Sequence, residues 1–380
     1  MKKQPRASRS QRMRLSFAIC AIASLIAIPA TLNAAFVHPG ILHTKADLDR
    51  MKTNVLYQTY PWYGAFQAFQ LDSKSSSSYV AAPANIGAGG YQRVRADAHA
   101  AYQNAIMWYI TGNSAHAAKA REILDGWATT CTSWICTANI DAYAAALHFC
   151  AAAEILRHTP SSGWSTTSIN NFSSFVANIM WPVLHGTLLG TGTGGCSSIP
   201  GDGNQGVGDA RGLMAIAIFL SDQGKFDLTV NAYLGNASSV NTCVALTKEA
   251  GGYIDSNGCP GEAGRDQAHP QGGMASYMEM AQMAWCQGLD LWAHGNNRLL
   301  AAAEWCARFN LGDNGAPYSN QGTCFSTYGN NPSQNARGQW TMTYEIAYNH
   351  YVVRRGLSMP WTLQALNRLR PEGTAGDDPG

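Results

Sequence analysis

Arg93-Val-Arg-Ala-Asp-Ala-His-Ala-Ala-Tyr-Gln-Asn-Ala-Ile-Met-Trp-Tyr-Ile-Thr111, closed by Gly112 and followed at once by the run 115–129, decides how this chain folds. Its apolar side chains recur at helical spacing, alanine fills many of the positions between them, and Gly112 stops the pattern. The second run repeats it with Ile123, Leu124 and Trp127. A turn as short as Thr111-Gly-Asn-Ser114 joins antiparallel neighbours, so the pair reads as a helical hairpin.

The same periodicity extends over 141–157, 168–184, 208–220, 241–250, 274–291, 297–309 and 341–355, and Thr44 is a good N-cap for a helix over 45–51. Strand-like alternation is hard to find. Helix after helix, with short and long connections alternating, predicts an all-α fold: an incomplete (α/α) toroid of helical hairpins in a single domain. An α-solenoid would need a repeat of fixed period, and none is present. Polar or glycine-rich stretches at 73–78 and 186–203 read as long, cleft-lining loops within that domain.

The first 34 residues read differently. Lys2, Lys3, Arg6, Arg9, Arg12 and Arg14 precede an apolar run over 15–28, with small residues after it. This is the pattern of a secretory signal peptide, which divides the chain into 1–34 and a domain over 35–380. The apolar run is shorter than the ~20 residues a membrane span needs, and no later segment is expected to span. The whole chain carries 26 basic and 24 acidic residues. Six basic and no acidic residues lie in 1–34, so the remainder has net charge −4. No global basic field exists to attract nucleic acid.

Cys20 leaves with the signal, and nine cysteines remain. Export permits disulfides, with Cys131/Cys136 and Cys243/Cys259 as candidate pairs. The odd count leaves at least one free thiol or an intermolecular bridge. Cys150, Cys286 and Cys306 fall within apolar helical patterns and are expected to be buried. No CxxC or Cys/His spacing suggests a zinc site.

Only 13% of the chain is charged, yet 261–271 packs Glu262, Arg265, Asp266, Gln267, His269 and Gln271 into eleven residues. If Arg265 to His269 is helical, those two side chains share a face. Arg265 is suited to a carboxylate, His269 to proton abstraction, and Asp266 or Glu262 to orienting them. The competing reading is a structural ion pair with His269 at a helix cap. A second cluster, Asp202-Gly-Asn204-Gln205, precedes a helix and is either a plain cap or an anion site. A third runs from Arg337 to Tyr351, where Trp340, Tyr344 and Tyr348 form either a core stripe or a sugar platform, and Glu345, Asn349 and Arg337 a polar network. Arg93, Arg95, Asp97 and His99 form a weaker fourth.

These residues carry a resemblance. Phe36-Val-His-Pro-Gly-Ile-Leu-His-Thr-Lys-Ala-Asp-Leu-Asp-Arg50 resembles the opening of the alginate lyase superfamily. Gly264-Arg-Asp-Gln-Ala-His269 is similar to its glycine-arginine-aspartate-glutamine-x-histidine motif, and Trp285-Cys-Gln-Gly-Leu-Asp-Leu291 and Tyr344-Glu-Ile-Ala-Tyr-Asn-His-Tyr351 continue the likeness. It looks closest to polysaccharide lyase family 38, whose members include glucuronan- and alginate-cleaving enzymes. The resemblance implies an incomplete α/α toroid that breaks a polyuronate by β-elimination; with protein donors supplying the positive potential, no metal or cofactor is expected.

Relatives of family 5 neutralise the uronate carboxylate with an Asn-His pair and an Arg, and use a Tyr for proton transfer. Asn204 matches that Asn, but Gln205 stands where the His would be. Arg265 matches the Arg, whereas Gln271 and Gly272 occupy the region of the Tyr. The expectation is therefore catalysis by Asn204, Arg265 and His269, with an unplaced Tyr as acid; Tyr253, Tyr277 and Tyr344 are candidates. Gln205, Asp266, Gln271, Arg93 and Tyr344 are expected to bind substrate. The expected partner is an anionic polysaccharide met by a secreted or periplasmic monomer. A toroidal glycoside hydrolase using Asp202, Glu262 or Asp266, or a sugar-binding protein without catalysis, are the alternatives.

Overall fold

The computed structural model describes residues 35–193, 196–197, 201–319, 322–325 and 328–371; the signal-peptide expectation for 1–34 lies outside them. The helices are α1 (Lys45–Leu56), α2 (Trp62–Leu71), α3 (Arg93–Thr111), α4 (Ser114–Thr130), α5 (Asn139–Arg157), α6 (Thr166–Phe175) and α7 (Trp181–Leu189). They continue as α8 (Gly203–Leu220), α9 (Gln223–Leu234), α10 (Ala268–Cys286), α11 (His294–Asn310), α12 (Gly322–Phe325), α13 (Tyr344–Tyr348) and α14 (Pro360–Leu369). Among the described residues there is no extended strand, only isolated bridges such as Ile86 with Trp134.

The decisive hairpin forms as its sequence implies. Gly112 adopts the left-handed conformation at φ 73° and ends α3, and the Asn113 side chain accepts the Ala115 N–H to start α4. Thr44 and Asp47 form a reciprocal capping box on α1. α3, α5, α8 and α10 pack side by side in that order, with α4, α9 and α11 behind α3, α8 and α10 and α7 against α8. The inner helices are separated by helices running back, so their N-termini lie at one end. Alanine at the contacts lets them approach closely: Ala98, Ala101, Ala105, Ala142, Ala145, Ala146, Ala210 and Ala217 are all buried. This is the incomplete (α/α) toroid, and from Phe36 onward the chain forms one compact unit.

Several expectations need correction. The run 241–250 is not a helix but two short turns, Thr242–Val244 and Lys248–Ala250. Asn241 caps the first, and the main chain of Ala245 and Leu246 then bonds to Tyr253 and Ile254, which diverts it from helix. α2, α9 and α14 were not anticipated. α6 and α7 are joined through a wider π turn at Val176–Met180 into one run, Thr166–Leu189, whose 24 residues are long and apolar enough to cross a membrane, against the sequence expectation. Half of its most apolar stretch is buried, and it packs on α4, α5 and α8.

Neither expected disulfide forms. Cys136 pairs with Cys196, and Cys243 with Cys324. Cys131 and Cys259 are buried free thiols, as are Cys150, Cys286 and Cys306. The observed bridges clasp long loops instead of closing short ones. Cys136–Cys196 ties the glycine-rich loop before α8 to the entry of α5, and Cys243–Cys324 ties the loop before α10 to the segment before α13.

Candidate active site

The N-terminal halves of four inner helices surround one cavity of about 320 Å³. Its lining includes Arg95 from α3, Tyr143 and His148 from α5, Asn204 and Arg211 from α8, Gly272 and Ser276 from α10, and Trp340 from the loop before α13. Positive helix ends converge there, which favours an anionic ligand.

Asn204 reaches the cavity because of what precedes it. Gly203 holds φ at 54°, and a Cβ there would lie 3.3 Å from the Glu262 carboxylate. That close approach lets Glu262 Oε2 accept the Asn204 N–H at 2.9 Å and the Tyr253 hydroxyl at 2.8 Å. Glu262 Oε1 accepts from Arg265 Nη1 at 3.1 Å. Buried Glu262 thus joins Asn204 to Arg265. Asp202 sits at the N-cap of α8, but its side chain makes no capping bond.

The Arg265–His269 stretch is not one helical face. Arg265 lies in a turn, and α10 begins at Ala268. Asp266 starts that helix: its Oδ1 accepts the Ala268 and His269 N–H groups, and its Oδ2 lies 2.5 Å from His269 Nδ1. Burial pushes the Asp266 carboxyl up, but these bonds outweigh it and hold the group below its usual range. The imidazole is one-third exposed and fixed in orientation by a carboxylate. Arg265 and His269 are absent from the cavity lining; Arg265 is linked to the lining residue Asn204 through Glu262, and the His269 ring is held by Asp266.

Other expected residues fall away from the site. Gln271 is fully buried; its amide donates to the Gln267 and Gln339 carbonyls and accepts from the Thr341 N–H and the Tyr344 hydroxyl. Tyr344 is itself fully buried and serves the core. Arg93 bonds Asp97 and the Val80 carbonyl outside the cavity, and its neighbour Arg95, paired with Asp141, lines it instead. Gln205 is exposed on α8, outside the lining. Tyr253 and Tyr277 are fully buried, the latter bonded to the Val244 and Ala245 carbonyls. Glu345 pairs with Arg370 and not with Arg337. Neither Asp202, Glu262 nor Asp266 lines the cavity; Glu262 and Asp266 are engaged with Asn204, Tyr253, Arg265 and His269.

Sequence reading missed Tyr143, His148 and Arg211. The Tyr143 ring lies against α8, where a Cβ on Gly208 would come within 2.9 Å of it, and the Arg211 guanidinium sits 5.7 Å from its centroid. Arg211 also pairs with Glu279 at 2.6 Å. His148 Nδ1 donates to the Ala144 carbonyl at 2.9 Å. Burial, aided by the Arg211 charge, lowers its pKa to about 3, so the ring is neutral and Nε2 carries a lone pair. Gly272 lines the same cavity, and a Cβ there would meet nothing within 4 Å. Ala-rich α5 gave no local signal for Tyr143; only the packing reveals it.

Comparison with known proteins bears on this arrangement. The sequence model of the alginate lyase family matches residues 87–316, more than half of the chain. No curated protein matches the chain in sequence. Among solved structures, the fold is similar to an alginate lyase from Bacteroides ovatus, with TM-score 0.57 and 12% identity over 86% of this chain and 96% of that one. It is similar to alginate lyase A1-III from Sphingomonas species A1, with TM-score 0.58 and 14% identity over 86% and 92%. A variant of A1-III complexed with a tetrasaccharide superposes with TM-score 0.53 and 16% identity over 87% and 91%.

Proposed function

This chain belongs to the alginate lyase family, and from that premise we propose that it cleaves a β-1,4-linked polyuronate, glucuronan or alginate, by β-elimination. It is a polysaccharide lyase. The observation that carries the polyuronate reading is the convergence of four helix N-termini, Arg95, Arg211 and Asn204 on one cavity.

β-Elimination breaks the C5–H bond, moves its electron pair into a C4–C5 double bond and expels the C4 oxygen. The C6 carboxylate must first be neutralised so that C5–H becomes acidic. Asn204 and Arg265, which share the Glu262 carboxylate, supply donors for the C6 carboxylate. His269, oriented by Asp266, takes the C5 proton. Tyr143, the phenol that lines the cavity, gives a proton to the departing oxygen and so fills the role left empty where Gly272 stands. Protein donors provide the positive potential in this scheme, and no step in it calls on a metal or cofactor.

The chain is exported with 1–34 removed, and 35–380 acts as a monomeric catalytic domain outside the cytoplasm; the two disulfides support this. Incubation of the protein with glucuronan, polymannuronate and polyguluronate tests the activity. Ultraviolet absorbance and reducing ends should rise together on at least one polymer. Reducing ends without absorbance would mean hydrolysis, and neither would mean binding alone; both outcomes overturn the proposal.

A further inference from the structure

Three side chains outside the cleft meet from distant parts of the sequence: His38 from the segment leading into α1, Glu154 from the last turn of α5, and His158 just beyond it. The Glu154 side chain is fully buried, and its two oxygens are used unequally. Oε2 lies 2.8 Å from His38 Nδ1 and accepts the Gly40 N–H at 3.1 Å. Oε1 faces His158 Nε2 at 3.6 Å, too long for a hydrogen bond, and neither atom has a hydrogen-bond partner.

A plain ion pair accounts for Oε2 but leaves two buried polar atoms facing each other unsatisfied. A cation between them satisfies both. With ligands ~2.1 Å from a zinc-class ion, the edge of a tetrahedron is ~3.4 Å, close to the observed 3.6 Å. All three ligand atoms lie within 4.8 Å of one another. His38 Nε2 bonds the Ser221 hydroxyl at 3.0 Å, which steadies the ring as the outer partner of a ligating histidine does. The two rings are stacked, parallel to within 5°, so binding requires one imidazole to turn until both lone pairs meet on one point. The site is reachable, since the His38 and His158 side chains are 17% and 26% exposed.

We propose that His38, Glu154 and His158 bind a divalent transition-metal ion of the zinc class, with solvent completing the coordination. Two imidazole nitrogens and one carboxylate oxygen suit that ion better than magnesium or calcium, which prefer all-oxygen ligands. Its role is structural: it fastens the chain before α1 to α5. The inference is independent of the lyase reading.

The full chain, stripped with chelator and dialysed, is titrated with zinc chloride by calorimetry, and its melting temperature is followed in parallel. One equivalent should bind and raise the melting temperature, with magnesium giving no such rise. His158→Ala keeps the His38–Glu154 pair and should still fold, yet bind zinc at least about 100-fold more weakly, a loss of ~2.7 kcal/mol. Glu154→Gln should lose binding as well, and cleavage of polymer by the His158→Ala variant should be unchanged. Absence of stoichiometric uptake, or equal uptake by the His158→Ala variant, overturns the proposal.

Discussion

The 261–271 segment and the cleft face of α5 are opposites in composition. The first is dense in charge and amide; the second is mostly alanine, with Tyr143 and His148 as its polar contributions to the cavity. Yet much of the polarity in 261–271 is spent inside the protein. Glu262 receives the Asn204 N–H, the Tyr253 hydroxyl and the Arg265 guanidinium, Asp266 caps α10 and holds His269, and Gln267 and Gln271 bond main-chain carbonyls. An irregular loop carries main-chain groups that no helix satisfies, and its polar side chains do that work. The inner helices satisfy their own main chains. A phenol on such a wall lines the cavity although its surroundings in sequence are mostly alanine, and density of polar residues is a poor guide to where substrate lies.

The sharpest test sets the two regions against each other. Tyr143→Phe should lower kcat by about 10²–10⁴-fold, the range of a proton-transfer group, with the melting temperature unchanged. His269→Ala should fall in the same range. If Tyr143→Phe is inactive and His269→Ala is nearly normal, proton abstraction also belongs to the α5 wall, and the His269–Asp266 pair is only a helix cap. If Tyr143→Phe turns over normally, the phenol is a bystander and the assignment fails.

Asn204→Ala should follow, with a loss of about 10²–10³-fold in kcat. The backbone N–H that bonds Glu262 remains in that variant, so circular dichroism and thermal unfolding should match the parent. Turnover close to normal would move carboxylate neutralisation to Arg95 or Arg211.

The same contrast explains what the sequence could and could not disclose. The hairpin at Thr111–Ser114 and the inner helices were legible because periodicity, alanine content and stop signals all lie within one turn of the residues they govern. Asn204 and Arg265 stood out as members of polar clusters in a chain only 13% charged, and family resemblance then matched them to roles. Tyr143 was hidden because its significance comes from Gly208, Arg211 and the space at Gly272, all distant in sequence. The disulfides were misassigned for a related reason: the partners are 60 and 81 residues apart, joining loops that only the toroid brings together. The His38–Glu154–His158 cluster spans 120 residues and has no spacing to recognise.

Glu262→Gln probes the loop side for stability. Glu262 is 2% exposed and accepts from three donors, one of them cationic. The amide keeps one acceptor oxygen and sets its NH₂ against a former donor, so the variant should lose about 1–3 kcal/mol in urea denaturation, with some loss of activity because Asn204 and Arg265 lose their common anchor. An unchanged midpoint would show that the loop is held by its disulfide and main-chain bonds alone.

The subtlest test concerns the α5 side and its dependence on pH. Burial lowers His148 to about 3 and His43 to about 4, the latter despite the opposing pull of Asp47. An unfolded histidine titrates near ~6.5. Between those values the unfolded chain binds protons that the folded chain does not, so stability is complete above about pH 6.5 and declines as pH falls, by up to ~1.4 kcal/mol per pH unit for each such group. Glu154 and Asp266 are held below the usual carboxylate range, so their contribution is lost only at lower pH. Urea midpoints at pH 7.5, 6.0 and 5.0 therefore isolate the histidines. The midpoint should drop across that series, and His148→Gln should reduce the drop without abolishing it, because other buried histidines such as His43 and His350 are lowered too. A flat profile in the parent protein would mean that protons reach His148 in the folded state. The ring would then be a titrating group open to the cavity, and a base for the α5 wall in place of His269.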